Sequence, residues 1–152
     1  MEKITTCQIC GRVIKSKNGL IAHHGYQRPG GGWQTASCFG ARFRPYEVAC
    51  DAIQPCIDGL QRYIDKEMEA LESLIKNPPE ALFKMRLGWK KPIRYELPEG
   101  FEPKDKPSYL PNSYEDEHRS QRGEHRRNIN GAKLMVKDLT ERLANWKQKE
   151  AA

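Results

Sequence analysis

The sequence lacks any long apolar stretch. No window approaches the roughly 18 consecutive apolar residues that a transmembrane helix needs, and no apolar run follows Met1 as a secretory signal would require. The Gly-x-Ser-x-Gly motif of hydrolases and the Gly-rich phosphate-binding loop are also missing. These absences argue against a membrane span and against two large enzyme classes, and we expect a cytoplasmic protein.

Cysteines are few and odd in number, with five among 152 residues. An odd count in a chain without a signal peptide does not suit a secreted disulfide scaffold, so we expect a reducing compartment. The composition is 38% hydrophobic and 30% charged, which is hydrophilic without being typical of disorder. A chain of this length predicts one domain, or one domain with a small appendage.

The cysteine spacing predicts a metal site. Cys7 and Cys10 are two residues apart, and a pair of histidines and a third cysteine follow. Thiolates and imidazole nitrogens can surround one tetrahedral Zn²⁺, and a shell of four protein ligands is structural. The predicted ligands of this single structural zinc are Cys7, Cys10, His23 and Cys38. His24 is the rival imidazole, and Cys50 is a distant rival for Cys38.

The same stretch resembles a known zinc-binding family over residues 7–23. The offsets of Cys7, Cys10, Ile14, Leu20 and His23 match the first half of the zinc finger that has two cysteine and two histidine ligands. The second histidine of that finger is missing, because residues 27–29 are Gln, Arg and Pro. The resemblance implies a short helix over about 16–24. A tight hairpin turn at residues 18–19, Asn-Gly, is the alternative.

The resemblance does not imply base reading. The finger positions that contact bases fall on Ser16, Gly19 and Ala22, which offer little to a base edge. The N-terminal segment is nevertheless basic, with seven Lys/Arg against two Asp/Glu over residues 1–50 of a chain of net charge +6. Such an excess suits a polyanion partner. The predicted backbone contacts in this segment are Arg12, Lys15, Lys17, Arg28, Arg42 and Arg44.

Apolar periodicity predicts two long helices, over about 46–76 and 114–149. The first carries a stripe at helical spacing, namely Ile53, Ile57, Leu60, Ile64, Met68, Leu71 and Ile75. The second carries a heptad-like seam, namely Ile129, Ala132, Val136, Leu139, Leu143 and Trp146. Pro55 should kink the first helix or mark its true start, and residues 112–113, Asn-Ser, could cap the second.

The predicted fold is mainly α. A zinc-finger-like module over 1–45 precedes an antiparallel, coiled-coil-like helical hairpin over 46–152. A Pro-rich strap over 77–113 connects the two helices, with a short helix at 80–87 and a strand at 93–97. Two helices alone bury little surface, so we expect the strap or a second copy of the chain, as a homodimer, to cover the seam.

The first half of the second helix is strongly cationic. His118, Arg122 and His125 continue the seam backwards, and further arginines lie beside it. Arginine forks match phosphate oxygens, so this face is a second predicted contact with nucleic acid. The arginines concerned are Arg119, Arg122, Arg126 and Arg127. The alternative is a solvated face whose arginines pair with neighbouring acidic residues.

These patterns predict a zinc-stabilised accessory or regulatory protein without enzymatic activity. Its partner would be nucleic acid, held through the phosphate backbone rather than read by base. A protein-binding adaptor or inhibitor is the alternative, and the chain resembles in general character small accessory proteins of phages and plasmids. The adjacent His23 and His24 also resemble the metal centre of HNH nucleases, but the first helix carries no histidine that could complete such a site.

Overall fold

A computed structural model describes residues 3–25, 37–105 and 112–147. In chain order its elements are strands β1 (Lys3–Thr6), β2 (Val13–Lys17) and β3 (Leu20–Ile21), helix α1 (Ile53–Lys76), strands β4 (Ala81–Lys84) and β5 (Ile93–Glu96), and helix α2 (Tyr114–Ala144). The fold therefore combines two long helices with two small antiparallel sheets and is not purely helical.

The chain forms two compact units. The N-terminal unit comprises Met1–Ile64 and Asn130–Ala152, and the central unit comprises Asp65–Ile129. The N-terminal unit thus includes the start of α1 and the end of α2, a different division from the sequence-based domains 1–45 and 46–152. The segment between β1 and β2 contacts residues 51–52, just before α1, and Arg142 near the end of α2, which is consistent with this grouping.

A three-stranded antiparallel sheet, ordered β1-β2-β3, opens the N-terminal unit. Lys17 pairs with Leu20 across a two-residue turn in which Asn18 and Gly19 have φ of 54° and 76°. Two positive φ values in succession are typical of the type I′ turn, which Asn-Gly adopts readily. The helix predicted over about 16–24 is therefore wrong and the hairpin alternative is correct, because the β-branched residues of β2 and the Asn-Gly turn outweigh the finger spacing.

Helix α1 begins at Ile53, seven residues later than predicted. Pro55 lies in its first turn, where the absence of an amide proton costs no intrahelical hydrogen bond. Residues 46–52 form turns instead, with Ala49 N–H donating to the Pro45 carbonyl at 3.0 Å. Of the predicted stripe, Ile53, Leu60 and Ile64 are buried. The far end of the stripe is exposed, at Met68 and Ile75.

The segment after α1 forms a β-hairpin. Strands β4 and β5 pair antiparallel, with Leu82 opposite Tyr95 and Phe83 opposite Arg94. The strand predicted at 93–97 is confirmed, whereas the helix predicted at 80–87 is wrong. Cross-strand pairing with β5 supplies this segment with hydrogen bonds that a short isolated helix would lack.

Helix α2 begins where the sequence predicts and ends five residues earlier. The Ser113 hydroxyl accepts the Asp116 N–H at 3.2 Å, which is an N-cap. In the central unit α1 and α2 are antiparallel. His118 contacts Leu74, whereas His125, farther along α2, contacts Glu67, which lies earlier in α1. The predicted helical hairpin is therefore present in this unit.

His118 is a buried, neutral part of the central unit's core. Its Nε2–H donates to the Leu74 carbonyl at 2.8 Å, and its ring packs against those of Phe101 and Tyr114. Burial lowers the pKa of His118, and the nearby charge of Arg122 lowers it further. The imidazole therefore belongs to the apolar packing rather than to a cationic surface.

This environment predicts that acid destabilises the central unit. The unfolded chain protonates His118 near pH 6.5 while the folded chain resists, so the free energy of unfolding should fall as pH drops below about 6.5. The ring protons of His118, followed by NMR, should show a midpoint below that value. His118→Gln can still donate to Leu74 but does not titrate. The free energy of unfolding of this variant should therefore depend less on pH below about 6.5. A midpoint at or above 6.5 would contradict the prediction.

Candidate metal centre

The first half of the site is a tight turn between β1 and β2. Cys7 N–H donates to the Arg12 carbonyl at 2.9 Å, and Gly11 N–H donates to the Cys7 carbonyl at 3.1 Å. Gly11 has a φ of 69°, a conformation that glycine adopts without steric cost. The turn thereby brings Cys7 and Cys10 to the same side, with the Cys7 sulfur accepting hydrogen bonds from the backbone at residues 9 and 10.

The second half comes from the segment between β3 and α1. Cys38 N–H donates to the His24 carbonyl at 2.8 Å, and Gly25 forms a β-bridge with Ser37. These contacts place His24 and Cys38 side by side although thirteen residues separate them in the sequence. The predicted ligand Cys38 is therefore at the site, whereas Cys50, its sequence rival, is not in the cluster.

The four ligand atoms have the spacing of a tetrahedral shell. All lie within 4.8 Å of one another. The sulfurs of Cys7 and Cys38 are 3.8 Å apart, and the Cys10 sulfur is 3.3 Å from His24 Nε2. Two thiolates bound to zinc at about 2.3 Å in a tetrahedron are about 3.8 Å apart, and a sulfur and an imidazole nitrogen about 3.6 Å. The cluster could therefore hold one metal ion with little rearrangement.

The structure places His24, rather than the predicted His23, at this cluster. Nδ1 of His24 lies 2.8 Å from the Ala22 carbonyl, so it carries the proton and leaves Nε2 free to bind a metal. His23 is exposed and takes part in other contacts. Its Nδ1 is 2.7 Å from the Ser37 hydroxyl, and its Nε2 accepts a hydrogen bond from Arg42. The finger spacing selects His23 only if the segment is helical, and it is not.

The thiols of Cys7 and Cys38 change one another's pKa through the hydrogen bond between them. The pKa of Cys7 is lowered to about 4, chiefly by its hydrogen bond with Cys38, while that bond and burial raise the pKa of Cys38. Arg12 donates from Nε to the Cys10 sulfur at 3.4 Å. Three thiolates and one divalent ion carry a net charge of −1, so the adjacent guanidinium would balance a loaded site. Cys56 contrasts with them, because burial raises its pKa to about 11 and keeps it a neutral apolar group.

Three supporting residues do not stand out in the sequence. Gln8 is fully buried, donating to Asp51 and accepting the Ala52 N–H just before α1, both at 2.8 Å. Arg142 of α2 donates to the carbonyls of Gln8 and Ile9 at 3.1 and 2.9 Å. Gly40 lies against Cys7, such that an added Cβ would be 2.5 Å from its sulfur. Each of the three supports the Cys7–Cys10 turn through tertiary contacts that local sequence patterns do not show.

The predicted nucleic-acid contacts divide into two sets. In the N-terminal unit, Lys15, Lys17 and Arg42 are exposed, whereas Arg44 pairs with Asp51 at 3.0 Å. Arg12 belongs to the metal cluster, and its guanidinium also donates to the Gly25 carbonyl. Arg28 lies outside the described residues.

The arginines of α2 are largely engaged inside the central unit. Arg122 is only 3% exposed and donates to Asp105 and to the Lys104 carbonyl. Arg126 also pairs with Asp105, at 3.1 Å, and Arg119 pairs with Asp116. Arg127 is exposed and forms no ion pair within the described residues. The alternative interpretation, pairing with acidic residues, therefore describes three of the four arginines.

No family model, curated protein or solved structure matches this chain. Within the described residues, neither helix is both long enough and apolar enough to span a membrane.

Proposed function

We propose that Cys7, Cys10, His24 and Cys38 bind one Zn²⁺ and that this ion is structural. Three soft thiolates and one imidazole are the donors that zinc prefers, and four protein ligands leave no position for water or substrate. The burial of Cys7 and Cys38 and the oriented tautomer of His24 support this assignment. A closed site supplies no metal-bound nucleophile, so the proposal favours a binding protein over an HNH-like nuclease.

The choice of histidine gives a direct test of this centre. Purified protein should contain one zinc per chain by elemental analysis. His24→Ala removes a ligand and should lower zinc affinity by at least tenfold in competition with a chromogenic chelator. His23→Ala, its matched control on the neighbouring residue, should bind zinc as the wild type does. Equal losses in both variants, or a loss only in His23→Ala, would contradict the proposed ligand set.

We further propose that the zinc-stabilised unit is a nucleic-acid-binding accessory protein that contacts the phosphate backbone. The observation that supports it best is the exposure of Lys15 and Lys17 on β2, the strand that follows the Cys7–Cys10 turn. They belong to a segment in which cations outnumber acids seven to two. Ser16, between them, is buried, so the strand offers charge rather than base-reading groups.

Salt dependence tests this function. Fluorescence anisotropy of labelled single- and double-stranded DNA and RNA should show binding at roughly 50 mM salt that weakens steeply by 200 mM. Lys15→Gln with Lys17→Gln should reduce the slope of log affinity against log salt by about 1.4–1.8. The control, Lys133→Gln with Lys137→Gln, removes the same charge from exposed positions of α2 and should bind as the wild type does. Absence of binding to all four ligands at low salt would contradict the function.

A protein-binding adaptor remains a second candidate because of apolar residues on the same sheet face. Ile4 and Val13 are 73% and 67% exposed, and Ile4 lies directly opposite Lys15 in the register. An apolar docking surface of this kind weakens little with salt. Capture of a protein partner that resists 200 mM salt, with no nucleic-acid binding, would favour this candidate.

A further inference from the structure

The β-hairpin of residues 81–96, called the central hairpin below, has an unusual charge distribution. Its residues include five basic ones and a single acidic one, Glu96. Two of the five are paired, since Lys84 lies 3.6 Å from Glu117 and Arg94 lies 3.4 Å from Glu96. Lys90 and Lys91 are exposed in the turn between the strands. The hairpin therefore presents positive charge at its tip.

The same hairpin exposes large apolar side chains. Phe83 and Trp89 are each 56% exposed, and Met85 and Leu87 are 63% and 105% exposed. The opposite face of the strand is buried through Leu82, so the exposed residues are not a sign of an unfolded segment. Aromatic and cationic side chains thus share one surface of the central unit.

One arginine lies opposite Phe83 in the strand register, and another lies beside the Trp89 ring. Phe83 is directly opposite Arg94 in the strand register, so both side chains lie on the same face. The guanidinium of Arg86 lies 5.8 Å from the centre of the Trp89 ring. Arg86 is itself anchored, because it donates to Asn112 at 2.6 Å. The Trp89 ring therefore lies beside a positioned cation.

We propose that the central hairpin binds single-stranded nucleic acid. Phe83 and Trp89 stack on unpaired bases, and Lys90 and Lys91 contact the phosphates on either side. This inference rests on the proposed nucleic-acid-binding function and adds a second, separate surface to the one on the N-terminal sheet. Base faces are accessible to aromatic rings only when the bases are unstacked, so exposed rings among cations favour a single strand over a duplex.

Arg86 also argues for this ligand over an anionic lipid surface. Its guanidinium keeps the Trp89 ring in a polar layer, which suits the alternation of bases and phosphates in a single strand. Insertion of Trp89 into hydrocarbon would instead bring that guanidinium into the apolar region at a cost. The exposed aliphatic side chains of Met85 and Leu87 extend the platform on which the bases lie.

The test uses the zinc-loaded full chain and labelled single-stranded DNA and RNA of about 15 nucleotides. Trp89→Ala should weaken binding about tenfold, and Trp89→Phe, which keeps a stacking ring, should restore most of it. Lys90→Gln with Lys91→Gln should reduce the salt slope by about 1.4. Lys133→Gln with Lys137→Gln again serves as the charge-matched control. Wild-type tryptophan fluorescence should be quenched by the strand, and Trp89→Phe should lose that quenching.

The outcomes separate this inference from the function on which it rests. If the wild type binds single strands and the Trp89 and Lys90/Lys91 variants bind equally well, the hairpin site is overturned while the nucleic-acid function stands. If the wild type binds no nucleic acid at low salt, both are overturned. If these variants lose binding to vesicles of phosphatidylserine and phosphatidylcholine but not to nucleic acid, the hairpin is a lipid contact and the inference fails.

Discussion

Removal of the metal is expected to unfold the N-terminal unit. Structural zinc contributes an apparent ~10–16 kcal/mol in small zinc-binding folds, which is as large as the ~5–15 kcal/mol that stabilises a typical domain. The sheet of this unit has only eleven residues in its three strands, which are too few to form a stable core without the cluster. A strong chelator should therefore abolish the dispersed NMR signals of residues 3–25, and added Zn²⁺ should restore them.

A pair of buried cysteines provides the control for this expectation. Cys38→Ala removes a ligand and should reproduce the effect of the chelator even with zinc in excess. Cys56→Ala removes a sulfur of similar burial from α1 in the same unit, but outside the cluster, and should cost only about 1–2 kcal/mol. Protein that keeps its N-terminal signals after chelation, or equal losses in the two variants, would show that the cluster is not a structural zinc site.

The effect of metal loss should also reach the helix termini of the same unit. Arg142 donates to two carbonyls of the Cys7–Cys10 turn, and Trp146 donates to the Tyr46 carbonyl at 2.7 Å. Gln8, inside that turn, accepts the N–H of Ala52 next to the start of α1. These groups lose their partners when the turn loosens, so we expect increased amide exchange at both the start of α1 and the end of α2.

The sequence predicts the cysteine pair of the metal cluster well because Cys7 and Cys10 are close together in the chain. Two cysteines at two-residue spacing can form a ligand pair in one tight turn, whatever the rest of the chain does. The choice between His23 and His24 depends instead on whether residues 16–24 form a helix or a hairpin. The finger pattern favours the helix, whereas the Asn-Gly turn and β-branched residues favour the strands, and pairing of β2 with β1 decides the outcome.

The roles of the charged residues in α2 are harder to predict from the sequence. Helical spacing places His118 and Arg122 on the seam correctly, but it does not show what packs against them. Asp105, seventeen residues before Arg122, supplies the counter-charge, and Leu74 supplies the carbonyl for His118. Both partners come from segments whose approach depends on tertiary packing. The part of the cationic stripe that contains His118 and Arg122 is therefore buried in the fold, with its polar groups bonded to these partners.

Substitution of Gly40 by alanine, which adds a single methyl group, is expected to have a large effect on zinc binding and on stability. An alanine Cβ would lie 2.5 Å from the Cys7 sulfur and 3.2 Å from Ile9 Cγ1, far inside van der Waals contact. Cys7 cannot move away without leaving the shell that binds the metal. We therefore expect Gly40→Ala to lower zinc affinity at least tenfold and to destabilise the N-terminal unit by about 3 kcal/mol, the upper end of the cost of overpacking.

Gly59→Ala is the matched control, and its effect should have the opposite sign. Gly59 lies within α1 of the same unit, and its added Cβ would meet only the end of the Arg62 side chain, at 3.9 Å. Alanine in a helix interior is about 0.5–1 kcal/mol more stable than glycine, so its melting temperature should rise by a few degrees. In excess chelator Gly40→Ala and the wild type should both have an unfolded N-terminal unit, so the difference between them is measured with zinc bound. Zinc affinity and stability of Gly40→Ala equal to those of the wild type would contradict the prediction.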